Sequence, residues 1–294
     1  DRQKFITHME VTVMDTRGLT REMLGAYRQY LCMEERSQGT IDKYMRDIQS
    51  FYRWLLDKPV TKEVVTGWKG YLQETGYAAT TVNSMLAALN GLFRFLNWED
   101  CRVRFLKIQR QMFRSATREL TQAEYKKLLA AAQGHRQHRL ALLMETICST
   151  GIRVSEVKYI TVEAAQKGRA DINLKGKIRT ILLPEKLCRK LLKYAEKNKT
   201  VSGEIFLTGN GKSLSRRQIW GELKRLCKYT GVAPSKVFPH NLRHLFAATY
   251  YRSCKDIARL ADMLGHSSIE TTRIYLVTSG TEQRKYLNSL GLIS

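Results

Sequence analysis

Apolar residues recur at three- and four-residue steps through most of this chain, and that period leaves room for little except helices. The clearest run is Ile41, Tyr44, Met45, Ile48, Phe51, Tyr52, Leu55 and Leu56, with Thr40 as the expected cap and Pro59 beyond the end. Three more stripes lie in the first hundred residues. Met23, Leu24, Tyr27, Tyr30 and Leu31 fall between Thr20 and Glu35; Val64, Val65, Trp68, Tyr71 and Leu72 between Lys62 and Glu74; Val82, Met85, Leu86, Leu89, Leu92, Phe93 and Leu96 between Thr80 and Asn97. Four helices with short connections make a small bundle. Its aromatics sit at core spacing, so they read as packing groups before platforms for bases. Residues 1–18 show no period and stay unassigned.

A break follows. Arg102, Arg104, Lys107, Arg110, Arg114 and Arg118 come with no acidic residue between them. This basic connector is expected to follow a phosphate backbone. The whole chain points the same way: 294 residues, 50 Lys and Arg against 27 Asp and Glu, net charge +23. A balance this basic implies a polyanionic partner. The excess is uneven. Residues 1–118 carry 19 basic and 13 acidic side chains, residues 119–294 carry 31 and 14. No run of eighteen apolar residues exists, so no membrane span is expected. The six cysteines are scattered without a CxxC pair, which fits reduced thiols in a cytosolic protein. No signal peptide is visible, and the start at Asp1 suggests that the natural beginning lies upstream.

The second half opens with a capping box, Thr121-Gln122-Ala123-Glu124. A buried helix is expected from His138 to Ser149, ended by a left-handed Gly151, after which Arg153 starts a short helix through Tyr159. Between 169 and 183 the period changes to two. Ala170, Ile172 and Leu174, a Lys175-Gly176-Lys177 turn, then Ile178, Thr180 and Leu182 read as a β-hairpin. A helix follows Pro184. Ser215 to Tyr229 reads as a helix with Ile219, Trp220, Leu223 and Leu226 on its apolar side. Arg216, Arg217 and Lys224 sit on a basic side able to enter a DNA groove.

The chemistry concentrates near the end. Pro239 suits the first turn of a helix, and His240 and Arg243 are three apart on one face. Arg243 offers a fork for two phosphate oxygens, and His240 can donate or shuttle a proton. His240 and His244 have zinc-helix spacing, but Asn241 stands where that motif needs Glu, so no metal is assigned. Gly265 should end one helix, and Ser267-Ser268-Ile269-Glu270 has the spacing to cap the next. That break lets His266 and Tyr275 face one cavity, which a single straight helix would prevent.

Thr150-Gly-Ile-Arg-Val-Ser-Glu156, the Lys175 hairpin, His240-Asn-Leu-Arg-His244, Leu264-Gly-His-Ser-Ser268 and Thr271-Thr-Arg-Ile-Tyr275 together resemble the tyrosine recombinase (phage integrase) family. The resemblance spans roughly residues 20–294, and the size is similar to short Xer-type or mobile-element members without an arm-binding domain. It implies a mainly α fold with a small β-hairpin: a SAM-like core-binding helical domain over 19–101, a basic linker over 102–118 and an α-rich catalytic domain over 119–280. A helix over 281–294 would pack in cis or dock on a neighbouring protomer. The implied activity is site-specific cleavage and rejoining of double-stranded DNA through a 3′-phosphotyrosyl link and a Holliday junction. A homo-tetramer on two sites would carry it out, with or without an accessory protein or partner recombinase, clamped around the duplex as a C shape and without a cofactor. The implied catalytic set is Arg153 and Arg243 as phosphate clamps, Lys175 as general acid with Lys177 as the alternative, His240 as base or donor, His266 as a further donor and Tyr275 as nucleophile. Arg102, Arg104, Lys107, Arg110, Lys177, Arg216, Arg217 and Lys224 are the candidate DNA contacts. A cytoplasmic, nucleoid-associated bacterial or mobile-element setting is implied. The rival readings are a catalytically silent DNA-binding regulator of the same fold and a type IB topoisomerase.

Overall fold

A computed structural model describes residues 17–108, 118–174, 177–266, 268–273 and 288–290. The chain divides into two compact units, Asp1–Arg110 and Gln111–Ser294.

The first unit is built on α1 (Arg21–Met33), α2 (Gln38–Leu55), α3 (Lys62–Glu74) and α4 (Ala79–Phe95). Thr20 and Thr61 cap α1 and α3, each hydroxyl accepting from an N–H three residues on at 3.3 Å. Thr40 does not cap α2 as expected. The helix starts earlier, behind Ser37, whose hydroxyl lies 2.9 Å from that of Thr40. The apolar stripes meet in one core, where Phe51 packs edge-on against Trp68 at 5.1 Å and Phe93 at 6.3 Å. All three are fully buried, and each contributes about 4–6 kcal/mol of transfer free energy as an upper bound. Tyr71, counted in its stripe, is instead 44% exposed.

The chain leaving α4 is strapped back onto it. Asn83 and Asn90 are seven apart, hence on one face, and each side-chain amide pairs with both the N–H and the C=O of an extended residue. Asn90 holds Val103 at 3.1 and 2.9 Å, and Asn83 holds Leu106 at 2.7 and 2.9 Å.

The second unit opens with α5 (Gln122–Gly134), whose capping box forms, with Thr121 accepting from the Glu124 N–H and Glu124 accepting from the Thr121 N–H. The buried α6 (His138–Thr150) follows and ends on Gly151 at φ 64°. A 3₁₀ turn (Val154–Tyr159) and α7 (Val162–Lys167) lead into β1 (Arg169–Leu174) and β2 (Lys177–Leu182). These two antiparallel strands are the only sheet among the described residues.

The hairpin corrects one expectation. The sequence reading places Lys177 in the turn with Lys175 and Gly176. Leu174 pairs with Lys177, however, so only two residues separate the strands, and Arg179 and Ile181 lie opposite Ile172 and Ala170. Directly opposed residues share a face, and a one-residue slip exchanges the faces. Ile178 and Leu182 are accordingly exposed, Ile181 is buried, and Arg179 is carried inward.

Then come α8 (Glu185–Lys197), α9 (Arg216–Leu226), α10 (Pro239–Cys254), α11 (Ile257–Leu264) and α12 (Ile269–Arg273). On α9, Ile219, Leu223 and Leu226 are buried as their spacing demands, but Trp220 is 51% exposed and lies outside the apolar face. α10 packs along α6 so closely that a Cβ on Gly151 would stand 2.5 Å from the Phe246 ring. No described helix is long and apolar enough to cross a membrane. The tail helix expected over 281–294 lies outside the described residues except for 288–290.

Candidate active site

Three chain breaks build the site. Gly151 takes the left-handed conformation that stops α6 and turns the chain into Arg153. Gly265 does the same for α11 at φ 60° and sets His266 just beyond. The third is the start of α10, where Pro239 occupies the first turn without forfeiting an N–H.

Arg153 donates to both Gly265 O at 3.1 Å and Glu156 Oε1 at 3.0 Å. Glu156 is 3% exposed and accepts two further bonds: its Oε2 takes the Arg153 backbone N–H at 2.9 Å and Arg179 Nη2 at 2.5 Å. Burial alone would raise the pKa of this carboxyl. The Arg153 N–H, the Arg179 charge and both guanidinium bonds outweigh that and hold it below the ordinary carboxylate range. Arg179 also donates to Met263 O at 3.2 Å and packs where a Cβ on Gly265 would be. Its Nε is buried without a hydrogen-bond partner, so this side chain holds its place at some cost.

Arg243 is almost fully buried on α10 and reaches the same helix ends. It donates to Gly151 O, to Leu264 O at 2.8 Å, and to His266 Nε2 at 3.1 Å. The other ring nitrogen, Nδ1, lies 2.9 Å from Oγ1 of the buried Thr272. Burial first, then the charge of Arg243, with Arg153, Arg179 and His240 adding to it, pushes the His266 pKa down to about 4. The ring is therefore neutral near pH 7.

Arg153 and Arg243 thus converge on the carbonyls of Gly265 and Leu264 beside His266, although the three come from distant motifs. Three guanidiniums against the Glu156 carboxylate leave two positive charges on these four side chains. Forked donors held in a partly buried place suit the non-bridging oxygens of a phosphodiester. His240, the second residue of α10, is exposed, and its charge is among those felt by His266. The shared face expected for His240 and Arg243 therefore splits into an outer and an inner member. Lys175 and Tyr275 lie outside the described residues, as do Arg110 and Ser267. Lys177 opens β2.

Of the candidate DNA contacts, Arg104 and Lys107 are exposed on the strapped segment, and Arg216 and Arg217 are exposed on the first turn of α9. Arg102 pairs with Glu99. Lys224 is engaged within the protein, donating to Pro234 O and lying over the rings of Trp220 at 5.0 Å and Phe238 at 5.8 Å.

Glu156, Arg179 and Thr272 are the site residues that the sequence reading passed over. Glu156 and Thr272 fall inside motifs already singled out but had been given no partner. Arg179 had one usable signal, an arginine opposite Ile172 once the turn is counted as two residues.

Comparison with known proteins follows the same lines. Residues 118–281 match the phage integrase family, and residues 24–100 match the phage integrase N-terminal SAM-like domain. The tyrosine recombinase XerA of Pyrococcus furiosus is 30% identical, over 89% of this chain and 91% of that protein. XerD of Vibrio cholerae is 24% identical, over 86% and 90% respectively. Among solved structures, a lambda integrase tetramer bound to a Holliday junction superposes with a TM-score of 0.73 at 21% identity, covering 92% of this chain and 80% of that one.

Proposed function

The chain belongs to the phage integrase family, and from that premise we infer that it is a tyrosine-type site-specific recombinase that breaks and rejoins double-stranded DNA. The convergence of Arg153, Arg243 and His266 at the end of α11 is the observation that carries the catalytic assignment.

In this reading Tyr275 attacks a backbone phosphorus, the bond to the 5′ oxygen breaks, and a 3′-phosphotyrosyl link remains. A tyrosine hydroxyl has a pKa near 10, so reaching the phenolate at pH 7 costs about 4 kcal/mol unless the proton is taken or the anion is stabilised. His240, exposed at the start of α10, takes that proton. Arg153 and Arg243 turn their forks to the non-bridging oxygens and stabilise the charge that builds on the pentacoordinate phosphorus. His266 adds a donor from its ring. Lys175, or Lys177 two residues on, gives its proton to the departing 5′ oxygen. The phosphotyrosyl bond conserves the energy of the one it replaces, so rejoining reverses these steps with the 5′ hydroxyl of another strand and needs no nucleotide.

The first unit serves as the core-binding domain, with Arg104 and Lys107 on the backbone of the site, and Arg216 and Arg217 of the second unit contact that backbone as well. A lambda integrase tetramer of this fold is seen bound to a Holliday junction, and four copies of the present chain would exchange strands in pairs through such a junction. Integration or excision of a mobile element and Xer-type resolution both use this chemistry and differ in the DNA sites joined.

A nicked duplex tests the assignment, built on the sequence this protein selects from a randomised library. The wild-type chain should leave a covalent adduct on a denaturing gel. Tyr275→Phe should bind equally well and leave none. An adduct from Tyr275→Phe would refute the nucleophile. Wild-type binding without adduct would make the protein a regulator, and relaxation of plasmids lacking the site would make it a topoisomerase.

A further inference from the structure

The His266 ring is held between two partners of different kinds. Arg243 Nη2 stands 3.1 Å from Nε2, and a guanidinium has donors only. Nε2 must therefore accept, which puts the proton of the neutral ring on Nδ1, where it donates to Thr272 Oγ1 at 2.9 Å. That tautomer cannot do what the site requires of it. A phosphate oxygen arriving at Arg243 is an acceptor, and the ring can serve it only by presenting an N–H at Nε2. The proton then has to be on Nε2, and Nδ1 has to accept.

A hydroxyl is the group that satisfies both arrangements. It accepts in one rotamer and donates in another, with no movement of heavy atoms. A carbonyl beside Nδ1 would lock the ring in the first state and a backbone N–H in the second. Thr272 is fully buried on α12, so water does not compete for this bond. We propose that Thr272 is a positioning residue whose hydroxyl lets His266 exchange tautomers, storing the ring proton on Nδ1 in the free protein and releasing Nε2–H for the phosphate when DNA docks. Proton count is conserved: Nε2 takes a proton from solvent, Nδ1 gives one up to solvent while its bond to Thr272 is transiently open, and the Thr272 O–H then rotates to donate to the vacated Nδ1. Thr272 also stands three positions before Tyr275, so the same bond ties the phosphate donor to the element that leads into the nucleophile.

The proposal rests on the recombinase reading, and the experiment separates the two. His-selective ¹⁵N spectra of the full chain carrying Tyr275→Phe would be recorded alone and with the selected nicked duplex. His266 should show the Nδ1–H pattern alone and the Nε2–H pattern with DNA. Single-turnover cleavage by Thr272→Val, which keeps the shape and removes the hydroxyl, should fall by about 30-fold, below the ~100-fold or more that loss of a transition-state donor itself costs. Thr272→Ser should recover most of that loss, and DNA affinity of both variants should stay within about twofold. One unchanged tautomer in both samples, a doubly protonated ring with DNA, or full cleavage by Thr272→Val would overturn the proposal. Absence of any adduct from the wild-type chain would instead overturn the recombinase reading.

Discussion

Replacing Arg179 by Met tests the buried charge network directly. Arg179 is 13% exposed and Glu156 3%, so their bond is largely out of water. Removing one partner of a buried pair costs about 3–5 kcal/mol when the other is left alone. Glu156 is not left alone here, since it keeps the Arg153 N–H and guanidinium at 2.9 and 3.0 Å. The substitution also relieves the unpartnered Nε, worth about 1 kcal/mol. The expected net loss is therefore about 2 kcal/mol, or about 4–8 °C in Tm for a unit of this size. Because the folded pKa of Glu156 is depressed, its stabilising share is complete above the unfolded carboxylate value and fades as pH drops through the lower folded value. The gap between wild type and Arg179→Met should thus be full at pH 7 and narrow below about pH 4. Calorimetry of the whole chain across that range, with Glu156→Gln completing a double-mutant cycle, measures both. A gap under about 1 °C at pH 7, or one unchanged at low pH, would refute the account of this network.

Other outcomes follow from the same geometry. Lys175→Ala should slow cleavage, and a substrate with a 5′-thiolate leaving group should restore it; if Lys177→Ala behaves this way instead, the general acid is the second lysine. Gly265→Ala meets both backbone strain at φ 60° and a contact of 2.5 Å with Arg179 Cδ, so it should lose stability and slow cleavage by more than about tenfold. Gly168→Ala, at φ 70° with nothing within 4 Å, should lose only the ~1 kcal/mol of strain and cleave normally. Equal cleavage by the two glycine variants would show that the Arg179 contact is idle.

The helices were legible because burial imposes a period, and the α1–α4 stripes and the α5 capping box needed nothing beyond local spacing. The hairpin turn is one residue shorter than its Lys175-Gly176-Lys177 reading, because periodicity does not supply the number of turn residues, and that number decides which face each residue of β2 takes. The start of α2 was missed because Ser37 and Thr40 both suit a cap and their mutual hydrogen bond is a tertiary detail. At the site, residue type and helix position signalled Arg243 as a phosphate-binding candidate, and the resemblance to the tyrosine recombinases implied Arg153 and His266. Their supports were hidden, because the Glu156–Arg179 pair joins two segments that share no pattern, and the Thr272 bond to His266 exists only once Gly265 has ended α11 and the chain has turned into α12.

Arg243 ties off two helices at once, since the carbonyls of Gly151 and Leu264, at the ends of α6 and α11, both receive its guanidinium. A positive side chain there also offsets the negative pole of each helix. Such a residue has no quiet substitution: exchanging it would loosen the scaffold while silencing the reaction, so a loss of activity would report on both. An inert form intended for trapping the protein on its DNA is better made at the phenol than at the arginine.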